Sequence, residues 1–186
     1  FRVICWRQWV KTEIYGPNTS KRLILSQNYE NNFKQRLSVE EVEEGLSLSP
    51  KFDENGLIPC ITTDNNTGEL LMVGYMNAEA LTKTIENGEA YYFSRSQKKI
   101  WHKGSVSGLT QKIVEMRIDD DQDSIWISVD VSGTGASCHV GYKSCFYRSI
   151  PLKSKVNENI ELIMSDEEKL FDPDEVYKGL PNPTKL

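Results

Sequence analysis

A hairpin pattern followed by further strand-like segments constrains the fold of this 186-residue chain most strongly. Leu57–Thr63 and Glu69–Met76 have the composition of strands, and Asp64–Gly68 between them is polar and ends in glycine, as hairpin loops do. The sequence therefore predicts a single α+β, β-rich domain in which a twisted sheet forms the core. Further strands are predicted at Ala90–Ser94, Lys99–Lys103, Gln111–Asp119, Ser124–Val131 and Phe146–Ile150.

Local capping signals predict a few helices beside this sheet. Ser38 and Glu41 have the spacing of a capping box, which predicts a short helix that ends at Gly45. Asn77 is suited to cap a second helix, and Asn87-Gly88 provides its stop signal.

The composition divides the chain into three parts. Residues 1–37 lack sustained periodicity and are predicted to be an N-terminal arm or extension. Residues 38–150 are predicted to form the domain, and residues 151–186 an acidic tail, docked or loose. Prolines at 173, 181 and 183 are expected to interrupt any regular structure in that tail.

The charge and the apolar pattern exclude several classes of partner. Twenty-seven acidic and twenty-two basic residues give a net charge of −5, the wrong sign for binding nucleic acid through its phosphates. No apolar run approaches the roughly 18 residues that cross a membrane. Phe1–Lys11 lacks the features of a secretory signal, so we expect a cytoplasmic protein whose four cysteines bind metal or stay free.

The densest group of reactive residues is Cys138-His139, followed by five residues and Cys145. Two thiolates in one glycine-containing loop can reach a single zinc ion, and a catalytic zinc needs three protein ligands and an open position. The third ligand would have to come from elsewhere in the sequence. On spacing alone, two buried cysteines with an incidental histidine remain an equal alternative, because this is not a finger-type repeat.

Alternating aspartates form a second group at the end of a predicted strand. Strand alternation would place Asp119, Asp121 and Asp123 on one face and Asp120 on the other. Three carboxylates on one face suit a hard cation such as Mg²⁺. The alternative is a solvated acidic turn, which the acidic residues alone favour.

A third group combines hydroxyls, cations and glycines, which together can hold a phosphate through charge-assisted hydrogen bonds and close backbone approach. An aromatic ring in the same stretch could stack on a base, although a tryptophan in a strand more often belongs to the core. The candidate substrate-binding residues are Ser94, Arg95, Ser96, Trp101, Lys103, Gly104 and Ser107.

In this order, the motifs resemble those of the phosphoribosyl-AMP cyclohydrolases. The resemblance runs from about Phe52 to Arg148, roughly half of the chain. The motifs that carry it are Gly56-Leu57-Ile58-Pro59, Gly68-Glu69-Leu70-Leu71-Met72, Tyr75-Met76-Asn77-Ala78-Glu79-Ala80-Leu81, Tyr92-Phe93-Ser94-Arg95-Ser96, Trp101-His102-Lys103-Gly104, Ser107-Gly108, Asp119 to Asp123, Cys138-His139-Val140-Gly141 and Ser144-Cys145-Phe146-Tyr147-Arg148.

The resemblance implies a zinc-dependent hydrolase of histidine biosynthesis that opens the adenine ring of phosphoribosyl-AMP at the N1–C6 bond. It also implies a homodimer with a β-rich pseudobarrel, in which zinc is shared between subunits. By motif, Cys138 and Cys145 would bind zinc and His139 would transfer a proton. The aspartates that would bind Mg²⁺ are Asp119, Asp121 and Asp123.

One position departs from the family pattern in a way that bears on the metal. The family's acidic motif carries a cysteine, its third zinc ligand, where this chain has Asp120. An aspartate is itself a legitimate zinc ligand, although it is a harder donor than a thiolate. The departure leaves two alternatives: a non-catalytic nucleotide-binding relative with a degenerate zinc site, or the same chemistry on another nucleotide. A smaller departure is His102, where family members commonly carry arginine.

Overall fold

The predicted hairpin begins the central sheet of the computed structural model, which describes residues 29–153, 155 and 159–180. Within those residues, most of the strands agree with the sequence prediction to within one or two residues. They are β1 (Ile58–Asp64), β2 (Leu70–Met76), β3 (Tyr91–Ser94), β4 (Lys99–His102), β5 (Gln111–Ile118), β6 (Ile125–Val131), β7 (Arg148–Ser149) and β8 (Ile163–Met164).

Four strands form the central sheet, in the order β2-β1-β6-β5. β1 pairs with β2 and β6 with β5 in antiparallel fashion, whereas β1 and β6 are parallel. β3 and β4 form a separate antiparallel hairpin, as do the short strands β7 and β8. The twisted sheet that the sequence predicts is thus present.

The described sheet is open, so the pseudobarrel alternative is wrong. Barrel closure would require the edge strands β2 and β5 to pair with each other, either directly or through further strands. After β2 the chain instead enters α2 (Ala78–Asn87) and then the separate β3–β4 hairpin. The start of β5 receives additional pairing from the segment before β3: the N–H of Ile113 bonds to the carbonyl of Gly88 at 2.8 Å.

The helix signals are confirmed by their caps. α1 (Val39–Glu43) begins after Ser38, whose hydroxyl accepts the N–H of Glu41. α2 begins after Asn77, whose side chain accepts the N–H of Ala80, and ends at Gly88 with φ of 67°. A left-handed residue is the usual end of a helix, and glycine adopts that conformation without steric cost.

α2 packs beside the sheet and closes one side of the core. Its buried residues are Ala78, Ala80, Leu81, Thr82 and Thr84. The core itself gathers apolar side chains from β1, β2, β3 and β6 together with α2. It includes Ile58, Leu71, Met76, Leu81, Tyr92, Ile125, Ile127 and Val129.

The C-terminal segment is docked through its backbone. The N–H of Leu170 bonds to the carbonyl of Gly141 at 2.8 Å, and the N–H of Ser165 bonds to the carbonyl of Tyr147 at 2.9 Å. Pro173 does not interrupt structure, contrary to the prediction; it occupies the first turn of α3 (Pro173–Val176) after the cap Asp172. Proline fits there because the first N–H groups of a helix have no intrahelical partner.

The described part of the predicted arm contacts the domain. A 3₁₀ helix spans Tyr29–Asn32, the Asn32 amide bonds to Thr82 of α2, and Phe33 packs near Phe52. The rest of the arm, residues 1–28, lies outside the described residues. In the part that the structure describes, no helix is long and apolar enough to cross a membrane.

Candidate active site

The loop that carries both candidate cysteines, residues 136–147, is seated on the start of β2. The N–H of Cys145 donates to the carbonyl of Leu71 at 2.7 Å, and the Ser144 hydroxyl donates to the carbonyl of Leu70 at 2.6 Å. The Lys143 ammonium bonds to the Glu69 carboxylate at 2.7 Å. These contacts fix the position of Cys145 relative to the sheet.

The same loop folds back so that its two cysteines meet. The N–H of Cys138 donates to the carbonyl of Tyr142 at 3.1 Å, and the N–H of Ser137 donates to the carbonyl of Lys143 at 2.9 Å. Gly141 has φ of 105°, and a Cβ there would lie 2.5 Å from the Phe171 carbonyl oxygen. The turn therefore requires glycine.

The thiols of Cys138 and Cys145 lie within hydrogen-bonding reach of each other. The Cys145 thiol donates to the Cys138 sulfur, which lowers the pKa of Cys138 although burial opposes it; the Val140 N–H and the Lys103 ammonium also favour the thiolate. That hydrogen bond and burial raise the pKa of Cys145. A pair in which one thiol ionises readily is a suitable donor set for a soft metal ion.

The third described cysteine lies in a different environment. Cys60 is fully buried in β1, and burial raises its pKa to about 12. No disulfide links the described cysteines. Cys5 lies outside the described residues. Cys138 and Cys145 are thus the two described cysteines that belong to one loop.

Lys103 and His139 lie near this thiol pair. Lys103 is 4% exposed, and burial lowers its pKa while the two cysteines act in the opposite direction. Burial also lowers the pKa of His139 below its ordinary 6.5, and the charge of Lys103 adds to this effect. His139 is therefore neutral near pH 7, which is the form that accepts a proton.

A buried chain of hydrogen bonds connects the cysteine loop to the sheet. The Gln111 amide donates to the Ser137 hydroxyl at 2.7 Å, and its carbonyl oxygen accepts from the Tyr92 hydroxyl at 2.8 Å. The Tyr92 and Thr62 hydroxyls are also 2.8 Å apart. All four residues are buried. The chain ends next to Cys138 and anchors that side of the loop to the start of β5.

The candidate aspartates lie on a turn between β5 and β6, because the chain leaves the sheet after Ile118. The strand alternation that was expected to group them is therefore wrong. Asp119 accepts the N–H of Asp123 and of Ser124, both at 2.9 Å, and the Ser124 hydroxyl at 2.6 Å. Burial raises the pKa of Asp119, but these hydrogen bonds outweigh it and the pKa is lowered.

The turn nonetheless brings three carboxylates together. One oxygen each from Asp119, Asp121 and Asp123 lies within 4.8 Å of the others, which suits a hard cation. Among the described residues this is the only group of three or more potential ligands of that kind. Cys138, Cys145 and Asp120 do not form such a group within one chain, and Asp120 is exposed.

The cysteine loop and the acidic turn lie at opposite ends of β5. Gln111, at the start of the strand, holds Ser137, whereas the acidic turn begins after Ile118. Eight extended residues span about 23 Å at roughly 3.3 Å per step. One chain therefore presents two donor groups that are too far apart to share a ligand sphere.

The predicted phosphate-binding residues occupy the β3–β4 hairpin and the loop after it. The Ser94 and Ser96 hydroxyls are 3.4 Å apart, and the Arg95 guanidinium lies 4.0 Å from the centre of the Tyr75 ring. Trp101 is 39% exposed and packs against Tyr92. The Lys103 ammonium is 5.8 Å from the Trp101 ring centre, so this group adjoins the thiol pair.

Gly104 and Ser107, in the loop after β4, also have structural roles. Gly104 has φ of 85°, and a Cβ there would lie 2.3 Å from backbone atoms of Leu109 and Thr110. The Ser107 hydroxyl accepts the N–H of Leu109 at 3.4 Å. His102, the smaller departure, pairs with Glu89 at 2.8 Å and stacks on Tyr91.

Sequence reasoning missed Gln111 and Gln122 as site-supporting residues. Both are polar and buried, at 0% and 4% exposure, and both use their side-chain amides fully in hydrogen bonds. A glutamine at the start of a predicted strand and another inside an acidic turn were the available signals. Their partners lie 19 to 80 residues away in the chain, so spacing does not indicate them.

Comparison with known proteins relates these features to one family. The family model "Phosphoribosyl-AMP cyclohydrolase" matches residues 72–147. A protein of that name from Rhodopseudomonas palustris (strain HaA2) is 55% identical over 140 residues, which are 75% of this chain and 93% of the relative. The protein of that name from Bradyrhizobium diazoefficiens is 53% identical over 138 residues, 74% of this chain and 95% of its own length.

A relative of the same name from Nitrobacter winogradskyi is 50% identical over 142 residues, 76% of this chain and 95% of its own. The region that the family model matches contains both the acidic turn and the cysteine loop. Because about half of all residues are identical over nearly the full length of these relatives, the chain belongs to the phosphoribosyl-AMP cyclohydrolase family.

Proposed function

We propose that this protein hydrolyses the adenine ring of phosphoribosyl-AMP, a step of histidine biosynthesis. Water adds at C6, the N1–C6 bond breaks, the water oxygen remains on C6 as a carbonyl, and the departing nitrogen takes a proton. The observation that carries the proposal is the folded-back loop at residues 136–147, which brings Cys138 and Cys145 together near Lys103, in a chain of this family. The cytoplasmic location stays a prediction from the sequence.

Two metal ions fit these donor sets. Cys138 and Cys145 would hold zinc, because thiolates are the soft donors that zinc accepts. Asp119, Asp121 and Asp123 would hold Mg²⁺, because their oxygens lie within 4.8 Å of one another. A zinc ion bound in this way supplies a coordinated water of lowered pKa.

The third zinc ligand in this proposal is Asp120 of a second copy of the chain. Asp120 and the thiol pair are separated by the length of β5 within one chain, whereas a homodimer can bring opposite ends of the two copies together. The exposed position of Asp120 on its turn leaves its carboxylate accessible to such a partner. The same arrangement would place the acidic turn of one copy near the thiol pair of the other.

His139 would act as the proton-transfer group. It lies next to Cys138 in the chain, and burial together with Lys103 keeps it neutral near pH 7. A neutral imidazole can accept a proton from the attacking water and deliver it to the departing nitrogen. Lys103, buried beside the thiols, supplies a positive charge that favours the thiolate form.

The β3–β4 hairpin and the following loop would bind the nucleotide. Hydroxyls and an arginine of that hairpin suit the phosphates, and the exposed face of Trp101 suits a base. Gly104 allows close backbone approach. The residues assigned to the substrate are Ser94, Arg95, Ser96, Trp101, Lys103, Gly104 and Ser107.

A single comparison of two cysteine variants tests this function. Purified protein is given phosphoribosyl-AMP, and ring opening is followed by ultraviolet absorbance. We expect turnover by the wild type, turnover reduced at least about 100-fold in Cys138→Ser, and wild-type turnover in the control Cys60→Ser. Binding of the nucleotide without turnover by the wild type would contradict the proposal and favour a non-catalytic relative.

A further inference from the structure

We infer that the segment from Arg36 to Lys51 is a latch that sets how tightly the acidic turn holds its divalent cation. The latch is defined by its contacts with residues 121–123. This inference rests on the proposed function, in which that turn binds Mg²⁺. It adds positioning residues outside the ligand set, on a segment that the proposed chemistry does not use.

The central contact of the latch is the side chain of Gln122. Its carbonyl oxygen accepts the N–H of Ser49 at 2.8 Å, and its amide donates to the carbonyls of Val42 at 3.0 Å and Ser47 at 3.1 Å. Gln122 is 4% exposed. Each bond is made to backbone of the latch, so the acidic turn is fixed to a separate stretch of chain.

The backbone of Gln122 explains why the turn needs such support. Its φ is 57°, in the left-handed region that a residue with a Cβ occupies at a cost. Gln122 lies between Asp121 and Asp123, so its backbone conformation sets the relative position of two candidate ligands. The hydrogen bonds of its side chain compensate for the unfavourable conformation.

Two further contacts reinforce the same connection. The Arg36 guanidinium donates to the carbonyl of Asp121 and to the carbonyl of Ser49, each at 2.8 Å, and so joins the turn to the latch. The N–H of Lys51 donates to the carbonyl of Gln122 at 2.7 Å. The backbone carbonyls of Asp121 and Gln122 are therefore both held by the latch.

The latch also places a positively charged side chain, Lys51, against the candidate metal ligands. The Lys51 ammonium lies 3.2 Å from a carboxylate oxygen of Asp121 and 3.2 Å from one of Asp123. A divalent cation that binds these oxygens must displace the ammonium. The latch thus has two opposed effects: Gln122 and Arg36 hold the ligands in place, and Lys51 competes with the metal for them.

Titration calorimetry with Mg²⁺ on the full chain separates these effects, because the two kinds of variant should shift the Mg²⁺ affinity in opposite directions. Gln122→Asn keeps an amide but shortens its reach, and should weaken Mg²⁺ affinity about tenfold, as loss of a ligand-orienting contact does. Lys51→Met should tighten it about two- to fivefold, because the competing exposed ion pairs are modest. Gln35→Asn and Lys34→Met are matched controls at exposed positions just before the latch, and should leave the affinity unchanged.

The outcomes distinguish the latch from the metal assignment. Saturable binding by the wild type with equal affinity in Gln122→Asn, or with weaker binding in Lys51→Met, would overturn the latch alone. Tightening by Lys34→Met equal to that of Lys51→Met would also overturn it, since net charge would then suffice. Absence of Mg²⁺ binding by the wild type would overturn the metal assignment and the latch together. If Gln122→Asn does not fold, Arg36→Met removes the guanidinium contacts and is expected to weaken binding as well.

Discussion

Asp120 is the residue at which this chain departs from its family in the proposed zinc site. Its carboxylate carries the same formal charge as a thiolate, and zinc accepts oxygen ligands at about 2.0–2.2 Å. The oxygen is nevertheless a harder donor than sulfur, so a site with two thiolates and one carboxylate should hold zinc less tightly than a site with three thiolates. In the proposed site, the substitution is therefore expected to lower zinc affinity while leaving an open position for water.

Asp120→Cys should therefore raise zinc affinity by at least about tenfold, or roughly 1.4 kcal/mol. Competition with a chromogenic chelator at one pH, under reducing conditions, measures this for both proteins. Asp130→Cys adds a thiol at another exposed aspartate and serves as the control. Equal affinities of wild type and Asp120→Cys would show that Asp120 is not a ligand.

At the residue scale, the sequence predicted candidate metal ligands better than it predicted the residues that hold them in place. The Cys138–Cys145 spacing indicated a pair of thiols and the aspartates indicated a group of carboxylates, each beside a structural alternative that the spacing did not exclude. The reason given for the aspartates was wrong, because the chain leaves β5 at Ile118 and a turn, not strand alternation, groups them. Gln111 was not predicted as a site residue because its partners come from three other parts of the fold.

β5 is the element that relates the two candidate metal sites. Its first residue anchors the cysteine loop through Ser137, and its last precedes the acidic turn. Gln111 is completely buried there, and its amide is bonded at both ends. A buried polar group is tolerated only while it is hydrogen-bonded, so this side chain should be important for stability as well as for loop position.

Gln111→Leu should destabilise the protein by about 1–3 kcal/mol, because the Ser137 hydroxyl loses its buried donor. Urea unfolding of metal-free protein measures the change in the free energy of unfolding. Thr62→Val, at the far end of the same chain of hydrogen bonds, keeps the Gln111–Ser137 bond and should cost only about 1 kcal/mol. A Gln111→Leu protein as stable as the wild type would contradict the structural role of the network.

Helices with local capping signals could be predicted from the sequence, whereas the arrangement of the strands in the sheet was harder to predict. Asn77 and Gly88 specify the ends of α2 through backbone geometry that depends on few neighbours. Whether the sheet closes depends instead on contacts between distant edges, which no local pattern encodes. The prediction for Pro173 was wrong for a similar reason. A proline can end a helix or begin one, depending on its position.

At the scale of the whole molecule, one copy of the chain does not complete the proposed site. The loop that carries the thiol pair and the acidic turn lie at opposite ends of β5, a strand about 23 Å long. A two-fold symmetric dimer has two equivalent sites, each made from opposite ends of different copies. If the protein forms such a dimer, a variant with a defective thiol pair and a variant with a defective acidic turn should together restore activity.

Coexpression of Cys138→Ser with Asp120→Ala should restore about a quarter of wild-type turnover, although each variant alone is inactive. Half of the randomly assembled dimers are mixed, and each mixed dimer has one site with both ends intact. Cys138→Ser with Cys145→Ser alters the same end twice and should restore nothing. Failure of the first pair to regain activity would place the whole site within a single chain.

The most direct test of the central claim is a zinc titration of metal-free protein under anaerobic conditions, with ring opening of phosphoribosyl-AMP measured at each point. Since the Cys138–Cys145 pair is proposed to hold the metal that activates water, turnover should rise in proportion to bound zinc. It should saturate at about one zinc per chain. Turnover that is independent of zinc, or zinc-loaded protein that binds the nucleotide without opening its ring, would contradict the account.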